Sequence, residues 1–107
     1  AAAVAAAAAA AAQADKDSTV VEIFEAEMAM CRELIALEPT CRWPRLQLLH
    51  MLDELCRVGL GDDAARAEER PGILEELLRL DGTHAGYYRY LQAEAKMAES
   101  AGEGKDE

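Results

Sequence analysis

Apolar residues fall along this chain in four separate stripes, each with the period of a helix. Val20, Phe24, Met28, Cys31 and Ile35 follow at steps of four, four, three and four, while Glu22, Glu25, Arg32 and Glu33 fall mostly elsewhere. That spacing predicts one buried helix face. Thr19 and Glu22 have the spacing of a capping box, which predicts the helix start. Pro39 predicts its end, because the residue before a proline avoids helical geometry. A second stripe of Leu48, Leu49, Leu52, Leu55 and Cys56 predicts a helix with Pro44 in its first turn and Gly59 and Gly61 as its stop. Ile73, Leu74, Leu77, Leu78 and Leu80 predict a third, from Pro71 to Leu80, since Pro71-Gly72 is expected to break anything longer. Thr83 is the expected cap of a fourth, whose face is His84, Tyr87, Tyr88, Leu91 and Ala95. There is no sustained alternation and little Val, Ile or Thr, so no strand pattern competes.

The stripes are joined by a repeated corner. Leu37-Glu38-Pro39-Thr40 returns as Leu80-Asp81-Gly82-Thr83, forty-three positions later, with Trp43 following the first copy and Tyr87-Tyr88 the second. A helix that ends in apolar–acid–Pro/Gly–Thr and restarts is a helix–turn–helix corner. Two of them predict two antiparallel helical hairpins of an α-solenoid, an all-α fold. Three regions are expected: a low-complexity Ala-rich tail over 1–17, the hairpin region over 18–98, and a disordered acidic tail over 99–107.

Composition adjusts this picture in two ways. The first twelve residues are eleven Ala and Val4, so the 51% hydrophobic content overstates the core. An ordered region of about 80 residues buries only a modest share of its surface. Both facts suggest a fragment of a longer protein, or a piece that leans on a partner. The net charge is −10. Residues 18–38 hold five acids against one arginine, and residues 61–82 seven against three. Nucleic acid and anionic membranes would be repelled by most of such a surface. No apolar run is long enough for membrane insertion. Three cysteines without a Cys-x-x-Cys pair fit a reducing, cytoplasmic setting better than a disulfide framework.

Candidate chemistry is sparse. His50, Cys56 and His84 or Cys41 have no structural-zinc spacing, and no metal or cofactor site is expected in this chain. A thiol nucleophile would need a base and an oxyanion site, and neither shows in the sequence. Gly59-x-Gly61 follows a helix and is too short to cradle phosphate. Glu68-Glu69 and Glu75-Glu76 point in different directions on a helix. No catalytic residue is assigned. The candidate partner-contact residues are Arg42, Trp43, Arg45 and Tyr90. Trp43 has a competing role as the cap of the apolar layer between hairpins. Arg42, Arg45 and Arg57 form the local basic excess. Tyr87, Tyr88 and Tyr90 span too wide an arc for one hairpin to bury all three rings.

Leu37-Glu38-Pro39, then Arg42-Trp43 and Leu46, then the Leu-rich helix, then Leu77 to Asp81 followed by Tyr88 and Leu91, resembles the last hairpin repeats of the protein prenyltransferase α subunit, above all that of the Rab geranylgeranyltransferase (type II enzyme). The resemblance covers about residues 20–97. Two positions depart from it. The family's Asn-Tyr-x-x-Trp-x-x-Arg signature is absent, with Leu46 third after Trp43, and Gly82 stands where the family often has Pro. The resemblance implies a non-catalytic crescent of hairpins that scaffolds a catalytic β subunit. That partner would hold the zinc ion and the geranylgeranyl diphosphate, and the Rab escort protein with its Rab GTPase would be a further partner. The alternative is a tetratricopeptide-like adaptor for another protein. An independent small enzyme is a third reading, disfavoured by the lack of a catalytic constellation.

Overall fold

The computed structural model describes residues 2–105, and side chains for residues 2–101. Among them are four α-helices and one 3₁₀ turn: α1 (Ala2–Leu37), α2 (Trp43–Arg57), α3 (Asp63–Leu80), the turn Gly82–His84, and α4 (Ala85–Lys105). No strand is present among the described residues. Each helix packs on the next in sequence. The result is the all-α helical-hairpin fold that the four stripes predict.

The shape is a slab of 59 × 43 × 19 Å. Its radius of gyration is 17.5 Å, against about 13 Å for a compact domain of this length. The excess comes from α1, whose Ala-rich half projects from the core with every residue from Ala2 to Lys16 exposed. The core is formed by Met28 and Cys31 of α1, Leu48, Leu49, Met51, Leu52 and Leu55 of α2, Ile73, Leu74 and Leu77 of α3, and Tyr88 of α4.

The helix ends differ from the sequence expectations at four places. Thr19 is not a cap. Its hydroxyl donates back to the Asp15 carbonyl at 3.0 Å, inside a helix that already runs from Ala2. Alanine has the highest helix propensity of any residue, so nothing stops α1 from extending upstream once its packed half is fixed. Val20 faces outward, and Val21 packs against the core.

Pro71 does not start α3; it lies inside it. A proline there forfeits one backbone bond and costs about 3 kcal/mol. Pro71 faces solvent, and the helix is pinned on both sides of it. Upstream, Asp62 caps the amides of Ala64 and Ala65, both at 3.1 Å. Arg66 and Arg70 both reach Asp53 on α2. Downstream, Ile73, Leu74 and Leu77 are buried. Thr83 lies inside the 3₁₀ turn.

The expected tail over 99–107 is helical as far as Lys105, and residues 106–107 lie outside the described residues. Ala, Glu and Lys carry α4 past its last packing contact. The end of α2 matches expectation: Gly59 has φ of +81°, a left-handed geometry that only glycine adopts without strain. Gly61 sits so close to Cys56 that an added Cβ would lie 2.7 Å from its Sγ.

Candidate interaction surface

The two corners are equivalent at the level of backbone hydrogen bonds. At the first, the Glu38 amide donates to Leu34 O at 2.8 Å and the Cys41 amide to Glu38 O at 3.1 Å. At the second, the Asp81 amide donates to Leu77 O at 2.8 Å and the His84 amide to Asp81 O at 3.2 Å. Every residue in the second set is forty-three positions beyond its counterpart. The repeat seen in the letters recurs in these two hydrogen bonds, although the second corner closes into the 3₁₀ turn Gly82–His84 and the first does not.

The corners lie side by side and are joined. Arg42, just after the first, donates to Asp81 of the second at 2.8 Å. Asp81 is only 8% exposed and also accepts from the Tyr88 hydroxyl at 2.7 Å and pairs with His84 Nδ1 at 2.9 Å. The Tyr88 bond first, then His84 and Arg42, hold the Asp81 carboxyl down at about 2. Burial, with Asp81 beside it, pushes the Tyr88 phenol up to about 12. The cluster is closed: charge is matched and each polar group is partnered, as a structural joint requires. A reactive site would instead leave an acid or base free.

The four candidate contact residues separate. Trp43 and Tyr90 are 56% and 61% exposed, so the indole does not cap the inter-hairpin layer. Tyr87 is exposed beside the buried Tyr88, their ring centroids 5.8 Å apart. Only Tyr88 of the three tyrosines is in the core, as the width of their arc requires. Arg42 is exposed but committed to Asp81. Arg45 is buried, and its guanidinium donates to the carbonyls of Pro39 and Cys41. Arg45 therefore corrects the expectation of a partner contact: it serves the corner from within. Arg57 pairs with Glu54 one turn back.

The remaining chemistry is muted. Cys31 and Cys56 have thiols pushed up by burial, which disfavours the reactive thiolate. No group of three or more His, Cys, Asp or Glu side chains with metal-site geometry occurs among the described residues. No helix of the described residues is long and apolar enough to cross a membrane. The exposed large apolar side chains are Val4, Val20, Ile23, Met30, Leu34 and Leu37 on α1, Trp43 and Val58 at the ends of α2, and Tyr87, Tyr90 and Met97 on α4.

The corner network and the Arg66/Arg70–Asp53 link escaped the sequence reading. A signal existed for the first. Tyr88 stands seven residues after Asp81, as Arg45 stands seven after Glu38, so the repeat itself marks both as corner residues.

One comparison with known proteins bears on this frame. Over 76 residues the chain is 30% identical to the geranylgeranyl transferase type-2 subunit alpha of Dictyostelium discoideum, a match covering 71% of this chain. The chain carries a prenyltransferase α-subunit-like region. It spans 22% of the length of that relative. No family model and no solved structure matches the chain. The α-subunit-like region rests on this relative, and the paired helical hairpins are consistent with it.

Proposed function

We propose that these hairpins are the non-catalytic helical-repeat portion of a Rab-type geranylgeranyltransferase α subunit and scaffold its β subunit. In this reading the β subunit supplies the zinc ion and the geranylgeranyl diphosphate. This chain supplies its exposed aromatics as contact surface, with Trp43 and Tyr90 as the anchors. Large, stiff aromatic side chains are the usual energetic centres of such contacts. Rab escort protein with bound Rab is the further partner, and the setting is cytoplasmic. The observation that carries the reading is the 30% identity over 76 residues.

The test is a chimera. The matching segment of the Dictyostelium α subunit is replaced by residues 18–98 of this chain and co-expressed with its β subunit. The expected result is a co-purifying complex that transfers geranylgeranyl to a Rab cysteine in the presence of escort protein. Trp43→Ala and Tyr90→Ala in the chimera should weaken co-purification. A chimera that folds, judged by circular dichroism, yet leaves β unbound would refute the scaffold role. Capture of an unrelated client by the same surface would instead favour an adaptor.

A further inference from the structure

The forty-three-residue repeat aligns the first helices of the two hairpins, α1 and α3, residue by residue, and they differ on one face. In α3, that face is Arg66, Arg70, Ile73, Leu77 and Leu80. Ile73, Leu77 and Arg70 are buried, and both arginines reach Asp53 on the preceding helix, α2, at 2.7 and 3.0 Å. The same positions in α1 are Ile23, Glu27, Met30, Leu34 and Leu37. All five are exposed. They form a continuous stripe at steps of four, three, four and three, beside the stripe that α1 buries against α2. One helix thus carries two apolar faces and uses one.

Charge shows what the second face is built for. Where α3 has Arg70 opposite an acid, α1 has Glu27 at the centre of the stripe. A partner helix that sits on α1 as α2 sits on α3 would meet Glu27 at the position of Asp53, so it must carry Lys or Arg there. On α4, the face that corresponds to the Asp53 face of α2 is unlike this one. Around Asp53 on α2 lie Leu49 and Cys56, one turn to either side; their counterparts around Lys96 on α4 are Gln92 and Glu99. A second copy of this chain could bring Lys96 to Glu27, but without the apolar flanks. The α4 face equivalent to that of Asp53 is therefore polar, and the exposed Tyr87, Tyr90 and Met97 fall outside it by helical spacing.

The geometry points to the α1 face Ile23–Glu27–Met30–Leu34–Leu37 as the seat for one further amphipathic helix of α2's kind, with a basic residue in place of Asp53 facing Glu27. This assignment rests on the internal repeat, and it stands whether or not the hairpins serve a prenyltransferase.

The test uses the full chain and two synthetic peptides of residues 42–59, one with the native Asp53 and one with Asp53→Lys, with binding read by fluorescence anisotropy. The Lys peptide should bind about tenfold more tightly than the Asp peptide, in line with a matched interfacial charge pair. Glu27→Lys in the chain should reverse that order. Leu34→Asp should abolish binding of both peptides while leaving the helical circular dichroism intact. Equal affinity for the two peptides, or binding of neither, would overturn the proposal. So would sedimentation equilibrium showing a dimer that Leu34→Asp dissociates, because the face would then belong to a second copy.

Discussion

The two corners share two backbone hydrogen bonds and differ in how side chains hold them. Each is braced by a residue seven positions after its acid. At the first corner the acid, Glu38, is exposed and unused by the brace; Arg45 passes beneath it and donates to two backbone carbonyls. At the second the acid is the keystone: Asp81 is buried and receives Tyr88, Arg42 and His84. A guanidinium bonding carbonyls and a phenol bonding a carboxylate accomplish the same closure. What recurs in this repeat is a position that needs a buried donor. The identity of that donor is free.

This comparison can be broken in several ways. The largest effect is expected from Tyr88→Ala, which empties a site that is 1% exposed and removes the donor as well. Losses of about 3–5 kcal/mol are typical for a buried aromatic, so urea denaturation should show a chain close to unfolding. Arg45→Met keeps the stem's bulk but strips the carbonyls of Pro39 and Cys41 of their donor; a cost of about 1–3 kcal/mol is expected. If Arg45→Met is neutral in the same assay, the first corner has no brace and the equivalence is one of backbone only.

Tyr88→Phe isolates the hydroxyl and should cost about 1–2 kcal/mol, since Asp81 keeps its other partners. It should also change the acid limb of the stability curve. Asp81 titrates near 2 when folded, below its ordinary 3.8. A carboxyl held down in this way contributes stability that is fully present above about pH 4 and is lost as pH falls toward 2. Melting temperatures between pH 4 and pH 2 should therefore fall less steeply for Tyr88→Phe than for the parent. Parallel slopes would mean that Asp81 draws nothing from Tyr88. The smallest effect belongs to Trp43→Ala: an exposed indole that touches no core should change stability by less than about 0.5 kcal/mol. A large loss would place it back in the layer between hairpins.

The sequence carried the frame and lost the joints. Stripes of period 3.6 and a repeated corner were enough for two hairpins, because burial in a thin helical slab leaves little choice of face. The start of α1 was misjudged because capping chemistry at Thr19 looks the same whether or not a helix already precedes it. Pro71 was over-weighted for a related reason: its local cost is visible in the chain, whereas the Arg66 and Arg70 anchors on Asp53 that offset it are thirteen and seventeen residues away. Arg45 read as a surface cation because its neighbours Arg42 and Arg57 are surface cations. Nothing local tells which of three arginines turns inward. The Tyr cluster was legible, since three rings within four residues cannot share one side of a helix.

The tie between Arg42 and Asp81 has a geometric result. It is a short polar strut placed where one helical pair meets the next, beside the apolar packing that joins them. In a coil built by adding such pairs, a tilt at one junction is carried undiminished to every unit beyond it. Any tilt that the loss of this arginine allows would therefore move distant surfaces, even where the fold itself survives.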